Sequence, residues 1–141
     1  MIVVDASVWV RSLVDDGAMG DAARRVLADD LRWTAPAHAP IEALRTVRRY
    51  KSSGLLTTAQ AWSMADEVLA AEVDYVGPER WLLASGWRYR KSLSAYDAPY
   101  VAIAQSRGIP LVTLDQRLAR AAAAAAVQVI NPNPEADSAG L

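Results

Sequence analysis

The stretch MIVVDASVWV, residues 1–10, decides the fold class of this chain. Ile2, Val3 and Val4 form a continuous β-branched run, which is typical of a parallel strand that is covered on both faces. Asp5 ends this run, and a helical pattern of apolar residues begins directly after it. Because ligands bind at the carboxyl edge of an open α/β sheet, the sequence places a carboxylate where a ligand site is expected.

The rest of the chain continues the alternation of strands and helices. Further strands are predicted at 31–35, 73–76, 111–114 and 127–130, and helices at 6–14, 21–30, 40–51, 79–90, 95–107 and 115–125. A capping box at 57–60 predicts one more helix, with Trp62, Ala65, Val68 and Leu69 facing inward. The pattern indicates an α/β fold with three layers, α/β/α, around a central parallel sheet of about five strands.

Composition limits the class of protein. The chain has 141 residues, of which 52% are apolar, so we predict one globular domain over residues 1–130 and a disordered tail over 131–141. The absence of Cys excludes disulfides, thiolate metal sites and a Cys nucleophile. We expect no secretory signal and no membrane contact, since no apolar run is long enough to span a bilayer, and therefore a cytoplasmic location.

Four acidic residues stand out, namely Asp5, Glu42, Asp97 and Asp115. Each has an ordinary explanation. Asp5 and Asp115 follow strands and suit N-caps, Asp97 lies three residues after Ser94 as in a capping box, and Glu42 falls in the first turn of a helix.

Convergence of the same four acids would indicate a metal site instead. Asp5 and Asp115 both leave the carboxyl edge of the predicted sheet, whereas the pattern leaves open which edge Glu42 and Asp97 occupy. Clustered carboxylates raise each other's pKa unless a cation neutralises them. With no Cys and a single His in the chain, oxygen ligands favour Mg²⁺, or Mn²⁺, over zinc.

Two segments carry a family resemblance. The segments VVDASV (3–8) and LSAYDAPYVAIAQSRGIPLVTLDQRLARA (93–121) resemble those of PIN-domain ribonucleases, specifically the VapC-type toxins of bacterial toxin–antitoxin pairs. The similarity extends over residues 2–130. It implies a PIN-like five-stranded parallel sheet, a homodimer, a VapB-type antitoxin partner and metal-dependent cleavage of an RNA substrate.

The resemblance also implies roles for individual residues. Asp5, Asp97 and Asp115 would hold Mg²⁺, and Glu42 would bind the metal or orient the attacking water. Ser7 and Thr113 match the supporting hydroxyl positions of the family and would bind a carboxylate or a phosphate oxygen. Where the family often has an Asn soon after the glutamate, this chain reads Ala43-Leu44-Arg45.

Basic and aromatic residues admit two interpretations each. Arg45, Arg48, Arg49 and Arg88 are predicted to bind RNA phosphates, although cations also favour the C-terminal ends of helices. The tryptophans at apolar helical spacing favour core or dimer packing over base stacking. They are Trp9, Trp62, Trp81 and Trp87.

Two other function classes stay open. A receiver domain or phosphotransferase also places an Asp at a strand end, but it would not require Glu42 or Asp97. A catalytically silent RNA-binding or interaction module would use the acids only as helix caps. A nucleotide-binding fold is disfavoured because the chain contains neither G-x-G-x-x-G nor G-K-[ST].

Overall fold

A computed structural model describes residues 1–133 and 135 of the chain. Strands and helices alternate along most of it. The elements are β1 (Ile2–Val4), α1 (Ala6–Val14), α2 (Ala18–Asp29), β2 (Trp33–Pro36), α3 (Ala39–Ser52), α4 (Thr58–Ala70), β3 (Val73–Val76), α5 (Arg80–Arg88), α6 (Ala98–Arg107), β4 (Leu111–Val112), α7 (Gln116–Ala124) and β5 (Val129–Ile130).

The strands form one sheet in the order β3-β2-β1-β4-β5, and every neighbouring pair is parallel. β1 lies at the centre, where Val3 pairs with Thr34 on one side and with Leu111 on the other. The chain runs outward from β1 to β3, then returns to β4. The sheet therefore has its topological switch point between β1 and β4, where ligand sites of open α/β sheets form.

Helices cover both faces of this sheet. Successive side chains of a strand point to opposite faces, and accordingly Val3 belongs to one apolar cluster while Ile2 and Val4 belong to the other. The Val3 side is packed by α5, α6 and α7, and the opposite side by α1 to α4. The predicted three-layer α/β/α architecture with a five-stranded parallel sheet is confirmed.

Two predicted helix starts were wrong. α2 begins at Ala18, not at residue 21, because Gly20 lets the helix pack directly against the backbone of Asp15, where a Cβ would lie 1.7 Å from the carbonyl oxygen. α6 begins at Ala98, not at residue 95. Pro99 has no N–H to donate, so the regular hydrogen-bond ladder starts around it, with the proline in the first turn.

The predicted burial of several large side chains was also wrong. Trp62 and Leu69 of α4 were expected to face inward, yet they are 69% and 68% exposed, and Val68 makes the buried contact instead. Trp81 and Trp87 of α5, for which core or dimer packing was predicted, are also exposed, so of that prediction only the dimer alternative is left for them, while Trp9 is buried in the core. When a helix carries two adjacent apolar stripes, their spacing in the sequence does not show which one faces the core. In α4 and α5 one apolar stripe packs on the core and the other faces solvent.

None of the helices in the described ranges is both long and apolar enough to cross a membrane. The predicted disordered tail, 131–141, falls mostly outside the described residues, since 134 and 136–141 are not among them.

Candidate functional site

Asp5 is a buried carboxylate at the end of the central strand. Its side chain is only 6% exposed, and its backbone N–H still donates to Val112 of β4 at 3.1 Å. The residue occupies the N-cap position of α1, but its carboxylate makes no capping hydrogen bond. The capping explanation therefore fails for this acid, which leaves its burial without a local structural cause.

Two hydroxyl groups donate to the same oxygen of Asp5. Ser7 Oγ lies 2.5 Å and Thr113 Oγ1 lies 2.8 Å from Asp5 Oδ2. Thr113 is fully buried, and its hydroxyl also accepts the backbone N–H of Asp115 at 3.0 Å. The hydroxyls thus fix the carboxylate and connect the ends of β1 and β4.

Asp115 caps α7 and remains accessible. Its Oδ1 accepts the N–H groups of Arg117 and Leu118 at 2.8 and 3.2 Å, so the capping interpretation is confirmed for this residue. Among the described residues, Oδ2 accepts no hydrogen bond, and the side chain is exposed. One oxygen therefore orients the carboxylate while the other is available to a ligand.

Asp97 occupies the N-cap position of α6 without a side-chain capping bond. Its backbone N–H donates to Ser94 Oγ at 3.1 Å, which is one half of the predicted capping box, but the returning bond from the Asp97 carboxylate is missing. The half-buried carboxylate is therefore free to face the pocket that it lines together with Asp5.

Glu42 is held from the opposite layer. Tyr100, fully buried in α6, donates its hydroxyl to Glu42 Oε1 at 2.8 Å, and His38 Nε2 lies 3.5 Å from the same oxygen. The ring of His38 packs edge-on against Tyr100, and its Nε2 also contacts the carbonyl of Tyr96 at 2.8 Å. Sequence reasoning missed Tyr100, because its spacing on α6 resembles that of any core residue.

The pKa values of Asp5 and Glu42 are raised in part by the charges of neighbouring acids. Burial raises the pKa of Asp5, the hydrogen bonds from Ser7 and Thr113 oppose this, and the charges of Asp97 and Asp115 raise it further. Burial also raises the pKa of Glu42 to about 7, against the hydrogen bond from Tyr100, with contributions from Asp5 and Asp97. The four acids therefore share one electrostatic environment.

All four acids line a single cavity of about 260 Å³ at the switch point of the sheet. Ser7 also lines this cavity, whereas Thr113 lies behind Asp5. The basic residues of its wall are Arg11, Arg45 and Arg49. Arg48 lies instead on the neighbouring groove between α3 and α4, and Arg88 is exposed at the end of α5. Arg11 was missed, because its position on α1 carries no signal beyond that of an ordinary surface charge.

The donor set of the cavity suits a hard divalent cation. Over residues 1–133 and 135, no three Asp, Glu or His side chains are close enough to form a ready-made chelate. The carboxylates nevertheless come from four separate elements, face one cavity and destabilise each other's charges. An oxygen-binding cation that retains several waters, such as Mg²⁺, fits this arrangement better than a metal that requires a complete protein cage.

Comparisons with known proteins agree with this description. The PIN domain family matches residues 2–124. The chain is 38% identical to Ribonuclease VapC3 of Mycobacterium tuberculosis over 120 residues, which cover 85% of this chain and 86% of that protein.

Solved structures share the fold at low identity. The structure of M. tuberculosis VapC20, a Sarcin-Ricin loop cleaving toxin, matches with a TM-score of 0.68 at 20% identity and covers 86% of this chain and 95% of that one. The structure of VapBC2 from Rickettsia felis, bound to a DNA fragment from its promoter, matches with a TM-score of 0.64 at 14% identity. The match covers 93% of this chain and 98% of that one.

Proposed function

Because the chain belongs to the PIN-domain family and is a VapC-type ribonuclease, the toxin of a toxin–antitoxin pair, we propose that its acidic cavity hydrolyses RNA phosphodiester bonds with Mg²⁺ as cofactor. The observation that carries this proposal is the convergence of Asp5, Glu42, Asp97 and Asp115 on one cavity at the switch point. Of the three that stand at N-cap positions, Asp5, Asp97 and Asp115, the last alone caps its helix with its side chain.

Asp5, Asp97 and Asp115 would hold the cation, directly or through water. When bound, Mg²⁺ would activate a water molecule and stabilise the charge that develops on the phosphate, and Mn²⁺ could take its place. Asp5 is suited to this role because Ser7 and Thr113 lock one of its oxygens in place. Asp115 contributes its uncapped Oδ2.

Glu42 is positioned to act on the attacking water. Tyr100 donates to its Oε1, and the residue lines the cavity together with Asp5, Asp97 and Asp115. Its carboxylate is the group that would accept the proton of this water, and a cation bound beside it would lower the pKa that burial and the neighbouring acids raise in the metal-free protein. The role that the family resemblance implied for Glu42 is thus supported by its geometry, although its neighbour Arg45 departs from the family pattern.

Arg45 and Arg49 are proposed to position the RNA. Both line the acidic cavity, so their guanidinium groups can bind phosphates on either side of the bond that is cut. Arg48, directed to another groove, is expected to contribute little to RNA binding. Replacement of Arg49 by Gln should weaken RNA binding and reduce its salt dependence, whereas replacement of Arg48 by Gln should leave both unchanged.

The test is the cleavage of a mixed RNA pool by antitoxin-free protein in Mg²⁺, Mn²⁺ or EDTA. We expect cleavage only with metal, and loss of cleavage in Asp97→Asn, with Asp29→Asn as a control on the exposed end of α2. If the folded wild-type protein binds RNA but cuts nothing under any of these conditions, the protein is an RNA-binding module with a PIN-like fold, and the ribonuclease proposal is wrong.

A VapB-type antitoxin is the proposed protein partner. The apolar groove between α3 and α4 is lined by Leu44, Val47 and the exposed Trp62, with Arg48 and Lys51 at its rim. An amphipathic antitoxin segment with apolar and acidic side chains would complement both features. Replacement of Trp62 by Ala should therefore reduce inhibition by the co-expressed antitoxin while the ribonuclease activity of the free protein persists.

We also propose that two copies associate through a second apolar groove. Ile41, Leu83 and Tyr96 line it together and are each more than half exposed, which is unusual for an unpartnered surface. Replacement of Ile41 by Asp should shift the protein from dimer to monomer in light scattering. A monomeric wild-type protein at the same concentration would contradict this.

Residues 1–130 are proposed to act as one domain that carries the whole activity. The five strands lie between Ile2 and Ile130 in one sheet, which supports this boundary. We propose that the protein acts in the cytoplasm, because its RNA substrate and its antitoxin would be present there.

A further inference from the structure

Trp87 is an exposed aromatic residue that neither the core nor the acidic cavity explains. It lies near the end of α5, and 73% of its surface is exposed. The guanidinium of Arg90 stacks on the indole ring at 4.4 Å from the ring centroid, and Arg90 also donates to the Trp87 carbonyl at 2.9 Å. The indole is therefore held in position while most of its surface faces solvent.

The segment around Trp87 is strongly basic. Arg88, Arg90 and Lys91 are all exposed, and within the described part of the chain none of them forms an ion pair with a carboxylate. Positive charges that are not neutralised by the protein attract a polyanion. An aromatic face among such charges is the combination with which proteins bind single-stranded nucleic acid without requiring a particular sequence.

Three contacts connect this segment with the chain next to Asp97 and Asp115. Gly86 packs against Ala95, since a Cβ on the glycine would lie 3.4 Å from the Ala95 Cα, and Ala95 is two residues before Asp97. Arg117 Nε donates to the Ser92 carbonyl at 3.0 Å, while the N–H of Arg117 is bound by Asp115. The segment is thus connected to two of the four acids through short, ordered contacts.

The segment lies on the opposite side of the acids from the arginines of the cavity wall. Arg45 and Arg49 belong to α3 in the layer that covers Ile2 and Val4, whereas α5 and α7 belong to the layer that covers Val3. The acids lie between these layers, at the edge of the sheet. A strand of RNA that crosses the cavity from Arg49 would therefore leave it on the side of the layer to which α5 belongs.

Resting on the proposed ribonuclease function for its substrate, we propose that Trp87 and Arg90 form a stacking platform for a base of single-stranded RNA. Arg88 and Lys91 bind the flanking phosphates. The platform selects unpaired RNA, because a base within a duplex is already stacked on its neighbours and cannot lie on the indole. It supplies affinity for substrate and takes no part in the chemical step.

The test measures binding separately from cleavage. A fluorescein-labelled single-stranded RNA of mixed sequence is titrated with the protein in EDTA and followed by fluorescence anisotropy, with the same RNA annealed to its complement as the second probe. Trp87→Ala should weaken single-strand binding about 5- to 160-fold, the range found for the loss of one base–aromatic stack. Binding of the duplex should change little, and Trp81→Ala on the same helix should match wild type.

Two further variants separate stacking from simple apolar contact. Trp87→Tyr retains an aromatic face and should restore most of the affinity, whereas Trp87→Leu retains apolar area and should not. In cleavage assays Trp87→Ala should raise KM with kcat unchanged. Because Trp87 is exposed, its replacement should leave the fold intact, and an unchanged melting temperature checks this point.

Each alternative result has a defined meaning. If wild type cuts RNA and Trp87→Ala shows the same Kd and KM, the platform is absent and the ribonuclease proposal stands. If wild type cuts nothing but Trp87-dependent binding persists, the ribonuclease proposal fails and the platform stands. If the substitution changes only the oligomeric state or antitoxin binding, this face is a protein interface and the platform is refuted.

Discussion

Replacement of Glu42 by Gln should make the metal-free protein more stable at alkaline pH while it lowers ribonuclease activity. The side chain is 28% exposed and is held at Oε1 by the hydroxyl of Tyr100. Glutamine keeps the shape and can accept the same hydrogen bond, so the substitution removes the charge and little else. The change in the free energy of unfolding therefore measures how much an ionised carboxylate at this position destabilises the folded protein.

The size of the effect follows from the pKa of Glu42, which rises from 4.5 to about 7 on folding. One pKa unit corresponds to about 1.36 kcal/mol, so full ionisation of Glu42 costs the folded state about 3 kcal/mol. Below the unfolded pKa, the group is neutral in both states and contributes nothing. Stability is lost as the pH rises from the unfolded pKa of 4.5 to the folded pKa of about 7, and the loss is complete above the folded pKa.

Urea unfolding in EDTA at about pH 4 and about pH 8 measures the difference directly. The variant should match wild type at the acidic pH and exceed it by about 3 kcal/mol at the alkaline pH. Glu67→Gln, at an exposed position of α4, should show no such dependence. A Glu42→Gln variant that is equally destabilised at both pH values would refute the account of burial and charge repulsion in this cavity.

Two further substitutions test other parts of the structure. Thr113→Val removes one of the hydroxyls that bind Asp5 and should lower metal affinity about 10- to 100-fold in calorimetric titration, whereas Thr113→Ser should retain it. Gly20→Ala places a Cβ 1.7 Å from the Asp15 carbonyl oxygen and should lower the free energy of unfolding by roughly 1–3 kcal/mol, while Gly77→Ala, with open space around it, should not.

Much of the fold could be predicted because its signals are local. The apolar run Ile2–Val4 and the following Asp5 gave the central strand and the position of the site. The capping box at Thr57 was confirmed in both of its hydrogen bonds. Gly108 ends α6 in the left-handed conformation, as a glycine at this place predicts.

Features that depend on tertiary contacts could not be predicted in the same way. Trp62 and Trp87 have the spacing of core residues, but which stripe of a helix faces the sheet depends on how the neighbouring elements pack. The earlier start of α2 depends on the close approach of Gly20 to another segment. In each case the deciding contact is made by a residue outside the helix concerned.

The candidate site shows the same division. The four acids could be singled out in the sequence by their type and by their places after strands or at the starts of helices, whereas Ser7 and Thr113 were expected only from the family resemblance. The sequence did not reveal that both hydroxyls bind one oxygen of Asp5, nor that Tyr100 holds Glu42. The bond from Tyr100 to Glu42 joins the two helical layers, and the bond from Thr113 to Asp5 joins the ends of β4 and β1, so both depend on the fold.

The most direct test of the central claim is an anomalous difference map from crystals of the antitoxin-free protein soaked in MnCl₂. The account predicts a peak in the cavity bordered by Asp5, Asp97 and Asp115, and loss of this peak in Asp97→Asn crystals that diffract equally well. If Mn²⁺ supports RNA cleavage but binds only elsewhere on the protein, the acidic cavity is not the metal centre and the account is wrong.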